Sequence, residues 1–199
     1  MSGDAARDVV KLDPRSLRGL AHPLRVRLLG LLREEGPATA TRLAERVGQS
    51  SGATSYHLRQ LASHGFVVED TERGVGRERW WRAAHRSTIL GGEIDKEAPA
   101  ETEAYLRAVS AQYAERVDRF ITEMPTLAQD WRRCVTVSDW RLRLTPAEAN
   151  ELHDGLMTLV ARFRRADDPE AEVPEGAEQV VLQAQIMPFL AAAGDGSDR

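Results

Sequence analysis

Residues 39–65 read TATRLAERVGQSSGATSYHLRQLASHG, and this stretch decides the fold. Thr39 is a residue type that caps helix N-termini, and Leu43, Ala44 and Val47 behind it fall on one helical face. Gly48 supplies a tight turn. Ser50 or Ser51 caps a second helix in which Thr54, Leu58 and Leu61 face inward until Gly65 stops it. Two short helices joined by a glycine-containing turn describe a helix-turn-helix, with Ser50 to His64 as its second helix.

Upstream, Asp13-Pro14 has the chemistry of a helix start, a carboxylate that caps free N–H groups followed by a proline in the first turn. A short helix is predicted to run from there to about Ala21. Leu24, Leu28, Leu31 and Leu32 then form the stripe of an amphipathic helix that Gly36-Pro37 ends. Residues 1–12 are expected to be a mobile arm, able to pair as a short strand at Val9, Val10 and Leu12. Downstream the period changes. Phe66-Val67-Val68 and Arg79-Trp80-Trp81 read as two strands, and Gly74 and Gly76 between them supply a flexible hairpin tip, the wing of a winged helix.

Residues 13–90 are therefore read as a winged helix-turn-helix domain and 91–100, GGEIDKEAPA, as a polar linker. A long helix at about 101–124 follows, with Leu106, Val109, Tyr113, Val117, Phe120 and Met124 as an apolar seam that needs a partner surface. Beyond it the pattern reads strand (135–144), helix (a Thr145-Pro146-Ala147-Glu148 capping box, to about Arg165) and strand (180–189). The fold class expected is α+β, mainly helical, with residues 101–190 as an accessory unit for dimerisation or for binding an effector or partner. A strand-helix-strand connection favours a parallel pair with a right-handed crossover. Residues 191–199 read as a disordered tail.

Charge narrows the function. Residues 1–86 hold 15 Arg or Lys against 10 Asp or Glu, a net of +5, which leaves -9 of the total -4 for residues 87–199. A polyanion is drawn to the first part and repelled by the second. No stretch approaches the roughly 18 unbroken apolar residues of a membrane span, and MSGDAARDVVKLDP lacks a secretion signal's layout, so a cytoplasmic protein is expected. Cys134 is the single cysteine, read as a small core residue, and it leaves no disulfide or cysteine cluster for a metal. No cofactor is expected. No nucleophile elbow or phosphate-cradling glycine loop is present, so an enzyme is not expected either.

The start of the second helix of a helix-turn-helix enters the major groove, and here that edge is polar. With Thr54, Leu58 and Leu61 turned inward, Ser51, Gly52, Ser55, Tyr56, Arg59 and Gln60 are presented outward. Ser51 and Gly52 are small enough for close approach to phosphate at a helix N-terminus. Ser55, Tyr56 and Arg59 are the candidate base readers, and Arg42, Arg73 and Arg77 candidate phosphate or wing contacts. The bland reading is an ordinary solvated helix face. His57 is assigned to packing or phosphate contact, and His153-Asp154 with Asp139 is rejected as a metal site because adjacent helical residues point about 100° apart. Trp131, Trp140, Tyr105, Tyr113 and Phe163 are either plain core or the lining of an apolar effector pocket.

The run LAHPLRVRLLGLLREEGPATATRLAERVGQSSGATSYHLRQLASHGFVVE, followed by GVGRERWW, resembles the winged-helix regulators of the ArsR/SmtB type over about residues 15–85. The L-A-x-P-x-R-x-x-L-L opening, the S-Y-H-L-R-Q-L core and the G-F-V step occur in order. The resemblance implies a homodimer that reads an inverted repeat in double-stranded DNA, with repression altered by a small-molecule or protein effector. Thr39 to Gly48 has no cysteine, which places the resemblance in the branch lacking metal ligands. The alternative is a protein-interaction module, in which the acidic C-terminal part binds a partner and the winged helix is a scaffold.

Overall fold

The computed structural model describes residues 9–73, 78–166, 168 and 171–189. The chain divides into two units, Met1–Leu127 and Ala128–Arg199.

The first unit follows its capping signals. The element order is β1 (Val9–Lys11), α1 (Pro14–Leu20), α2 (Pro23–Glu34), β2 (Ala38–Thr39), α3 (Ala40–Val47), α4 (Ser51–Ser63), β3 (Val67–Glu69), β4 (Trp80–Ala83), β5 (Ser87–Ile89), α5 (Ile94–Glu97) and α6 (Pro99–Glu123). Asp13 starts α1 with a capping box, accepting a hydrogen bond from the Ser16 N–H at 2.6 Å. Thr39 and Ser50 cap α3 and α4 through their hydroxyls. Gly48 sits at φ 64°, the left-handed conformation that lets the chain turn sharply between them.

Beneath the helices lies a three-stranded sheet in the order β2-β4-β3, antiparallel throughout, with Ala38 opposite Trp81 and Val67 opposite Ala83. β1 pairs in parallel with β5, Val9 opposite Ser87, so the arm is held as a strand where a strand was expected. Leu17, Leu20, Leu28, Leu58, Leu61, Phe66 and Val67 form the fully buried centre of the core. The expected wing tip, including Gly74, Gly76 and Arg77, lies outside the described residues.

Two sequence readings change here. The linker expected at 91–100 contains α5 and the start of α6, and Ile94 and Ala98 are buried in the same core as the helix-turn-helix. Apolar residues spaced i, i+4 within a polar run anchor that segment, so the first unit continues to Leu127. The long helix is present, but its packed stripe is Thr102, Tyr105, Ala108 and Val109, while Leu106 is 48% exposed. Ion pairs border the stripe: Arg18–Glu101 at 3.3 Å, Arg27–Glu115 at 3.5 Å, and Arg116–Glu34. Packing α6 on α1 and α2 covers an intramolecular face that the sequence had left for a partner.

The second unit departs further. A 3-10 turn at Met124–Thr126 precedes α7 (Gln129–Cys134) and α8 (Pro146–Val160), the latter starting from the expected capping box at Thr145 and Glu148. Residues 135–144 and 180–189 form no strand among the described residues. Alternating apolar residues give a segment strand propensity, but a strand exists only when a neighbour pairs with it. Cys134 is exposed rather than core, its thiol 3.3 Å from the Asp130 carbonyl. Trp140 is 77% exposed and Phe163 is also open, so neither is core nor pocket lining.

Candidate nucleic-acid interface

α4 is built to present one face. Thr54, Leu58 and Leu61 are fully buried against α1, α2 and α3, which fixes the helix's rotation about its axis. With 100° per residue, the opposite side carries Ser51, Gly52, Tyr56 and Arg59, all exposed, with Ser55 and Gln60 half-buried at its margins. The Ser50 hydroxyl accepts from the Ala53 N–H at 3.2 Å and satisfies one of the free donors of the first turn. The remaining N–H groups of that turn and the positive end of the helix dipole face outward beside Ser51 and Gly52. No acidic residue lies in this first turn. Arg59 makes no ion pair among the described residues, so its guanidinium is available to an external acceptor.

The base of this helix holds two imidazoles and a guanidinium, of which the sequence reading weighs only His57. The His57 ring lies 4.4 Å from that of His22, which caps α2 by accepting the Leu24 N–H at its Nδ1. Tyr56 meets the His57 ring edge-on at 5.2 Å. Burial holds the His57 imidazole below its ordinary ionisation range, and the neighbouring His22 and Arg25 push it the same way. His22 is lowered for the same reasons, burial first and then Arg25. Burial lowers the Arg25 guanidinium from its ordinary range while Tyr56 beside it acts the opposite way, and its buried Nε has no hydrogen-bond partner among the described residues. Its place in the first turn of α2, three residues after the helix cap, was the available signal. His57 is therefore a packing residue at the root of the outward face.

The three arginines assigned to phosphate contact fare differently. Arg42 is exposed on α3 with its Cζ 4.9 Å above the Trp80 ring, so the first helix of the helix-turn-helix and the wing strand share a cation. Stacking leaves the guanidinium edge free to donate. Arg73 is paired with Asp70 at 3.4 Å, which offsets its charge within the chain. Arg77 lies outside the described residues. Arg79, at the foot of the wing, pairs with Glu69 at 3.1 Å and lies over the Trp81 ring.

Among the described residues no group of three or more His, Cys, Asp and Glu is placed to hold a metal ion, and His153 Nδ1 simply faces Asp154 Oδ1 at 3.1 Å. No helix among them is long and apolar enough to cross a membrane. Residues 20–70 match the family described as a helix-turn-helix domain, a segment that runs from the end of α1 to the end of β3. No curated protein matches the chain. The match covers both helices, the Gly48 turn and the exposed face, and supports reading the first unit as carrying a helix-turn-helix of the kind found in DNA-binding regulators.

Proposed function

We propose that this protein is a sequence-specific, double-stranded DNA-binding transcriptional regulator of the ArsR/SmtB type, in the branch without metal ligands, acting in the cytoplasm as a homodimeric repressor on an inverted repeat. The observation that carries the reading is the open polar face of α4, with Thr54, Leu58 and Leu61 locked inward and Ser51, Gly52, Tyr56 and Arg59 exposed. Ser55, Tyr56 and Arg59 read base edges, where a guanidinium can pair with guanine and a ring can meet a thymine methyl. Ser51, Gly52 and Gln60 border them. Arg42, Arg73 and Arg77 contact phosphate, and Arg25 adds charge behind Tyr56. The absence of cysteine from 39–48 supports the branch without metal ligands. The second unit is the proposed seat of a small-molecule or protein effector, and the protein binds rather than catalyses.

Selection of bound sites from random duplexes with the purified protein tests the reading. The expected product is a palindrome whose half-sites are centred about 10 base pairs, or a multiple, apart. Failure to retain any duplex at low salt overturns it, because the sequence-independent electrostatic attraction of a basic face is greatest there.

A further inference from the structure

We infer that the Arg25 guanidinium and the His22 imidazole, at the start of α2, form a seat for a phosphodiester of the DNA backbone at the rim of the groove that α4 enters, with the His57 ring as the platform on which His22 lies. This deepens the DNA-binding reading above and rests on it.

Arg25 is short of a partner. It is half-buried, and burial acts against its charge. No carboxylate acts on it, Tyr56 being the one side chain that does. Its Nε is enclosed and unpartnered, and its two Nη groups make no hydrogen bond among the described residues. A cation taken out of water without a counter-charge is costly, and an oxyanion at the Nη fork is the group these surroundings lack.

The backbone of α2 does not supply the rest of the site. Pro23 has no N–H, the Leu24 N–H donates to His22 Nδ1 at 3.2 Å, and those of Arg25 and Val26 donate to the His22 carbonyl. The cap itself fixes what His22 can do. An Nδ1 that accepts holds no proton, so the neutral ring carries its proton on Nε2 and has that one donor left. The residue is exposed, and its ring lies 4.4 Å from that of His57. His57 Nδ1 is enclosed without a partner, so charging that ring would place a buried, unpaired N–H there. Burial and Arg25 lower both imidazoles from their usual range, as His22 also does for His57. Near neutral pH, Arg25 is therefore the one full charge among the three groups.

Position selects the anion. His57 meets Tyr56 edge-on at 5.2 Å, and Tyr56 is exposed on the outward face of α4. A recognition helix fills a groove about 12 Å wide whose rims are phosphate, so groups one ring removed from the base-reading residues stand where the backbone runs. The guanidinium fork matches two phosphate oxygens, and an imidazole N–H adds a further bond. Neither α2 nor α4 has an acidic residue in its first turn to repel the anion.

The experiment is an anisotropy titration of the full chain on a selected duplex and on a random-sequence duplex, from about 50 to about 200 mM salt. It compares the parent with Arg25→Gln, Arg25→Lys and His22→Asn, with calorimetry to establish that each is folded. Asparagine keeps the helix cap and removes the imidazole donor. Arg25→Gln is expected to weaken both duplexes equally, on the order of 10-fold at the lower salt, and to reduce the salt slope by about 0.9, so that its deficit shrinks about 3- to 4-fold across the range. Arg25→Lys is expected to keep the slope. His22→Asn is expected to weaken both duplexes about 3- to 10-fold at an unchanged slope. An unchanged slope in folded Arg25→Gln overturns the seat and leaves the DNA reading standing. A loss confined to the selected duplex makes Arg25 a support for Tyr56 and overturns it too. Should Arg25→Gln not fold, His22→Asn decides, and full affinity of that variant for the random duplex overturns the seat. A parent that binds neither duplex overturns the DNA reading and with it the backbone as occupant; inorganic phosphate that then shifts the His22 ring resonances in the parent, and not in Arg25→Lys, reassigns the seat to a free anion.

Discussion

Leu58 and Arg59 are adjacent in sequence and about 100° apart around α4, and replacing each by alanine separates folding from recognition. Leu58 is fully buried between α4 and the helices beneath it. Truncating an enclosed leucine removes its burial energy and leaves a cavity, at about 2–5 kcal/mol, and with no solvent path to relieve the void we place Leu58→Ala near 3–4 kcal/mol. For a unit of this size each kcal/mol is worth about 3–5 °C, so the melting temperature falls by about 9–20 °C. At 15 °C the variant remains folded and its outer face is unchanged, so its affinity for a selected site stays within about twofold, the exposed face rather than the core carrying discrimination. Arg59→Ala does the reverse. Arg59 is exposed and makes no ion pair among the described residues, so its loss shifts stability by no more than about 0.5 kcal/mol, yet it weakens the specific site by about 1–3 kcal/mol and relaxes base preference. Scanning calorimetry and anisotropy titration of both variants read the two axes. Leu58→Ala weakening specific binding at 15 °C as much as Arg59→Ala, or Arg59→Ala melting as early as Leu58→Ala, refutes the rotation of α4 on which the interface rests.

Further expectations are independent of DNA. His22 and His57 both titrate below 6.5 in the folded chain, so below pH 6.5 the unfolded chain takes up protons that the folded chain does not, and stability declines until the folded pair is also protonated. Melting temperature is expected to fall between pH 7.5 and pH 5, and the fall is expected to shrink in His57→Gln; a flat profile in the parent contradicts the stacked pair. A Cβ on Gly19 meets His64 Cγ at 2.6 Å and Phe66 Cε2 at 2.9 Å, so Gly19→Ala is expected to lose about 1–3 kcal/mol in denaturant titrations. Arg33 donates to the His85 carbonyl at 3.0 Å and to Thr88 Oγ1 at 2.8 Å; Arg33→Met is expected to lose about 1.5–3 kcal/mol and to speed amide exchange in β5, and unchanged exchange there argues against the tie.

Where the sequence states its own boundaries, it was readable. Asp13-Pro14, Thr39, Gly48 and Ser50 are local chemical instructions, satisfied by atoms within three or four residues, and the helices begin and turn where those residues stand. The inward set Thr54, Leu58 and Leu61 followed from spacing alone, and the outward face followed from it. The rotation of α6 was not legible, because Leu106, Val109 and Tyr113 satisfy helical spacing as well as Thr102, Tyr105 and Val109 do; the distant surfaces of α1 and α2 on which it packs decide between them. The strands expected at 135–144 and 180–189 failed for a related reason, since alternation records a face and not the identity of a neighbour. Arg25 escaped notice because its role arises from Tyr56 and His57, some thirty residues later in the chain.

The ladder between Val9–Lys11 and Ser87–Ile89 ties the beginning of the chain to the strand that leaves the wing. Val9, where the described chain enters the fold, therefore lies beside the strand that follows β4. A pull on the arm is borne first by three residue pairs in parallel register, so mechanical load on this end peels β5 before it reaches the helices.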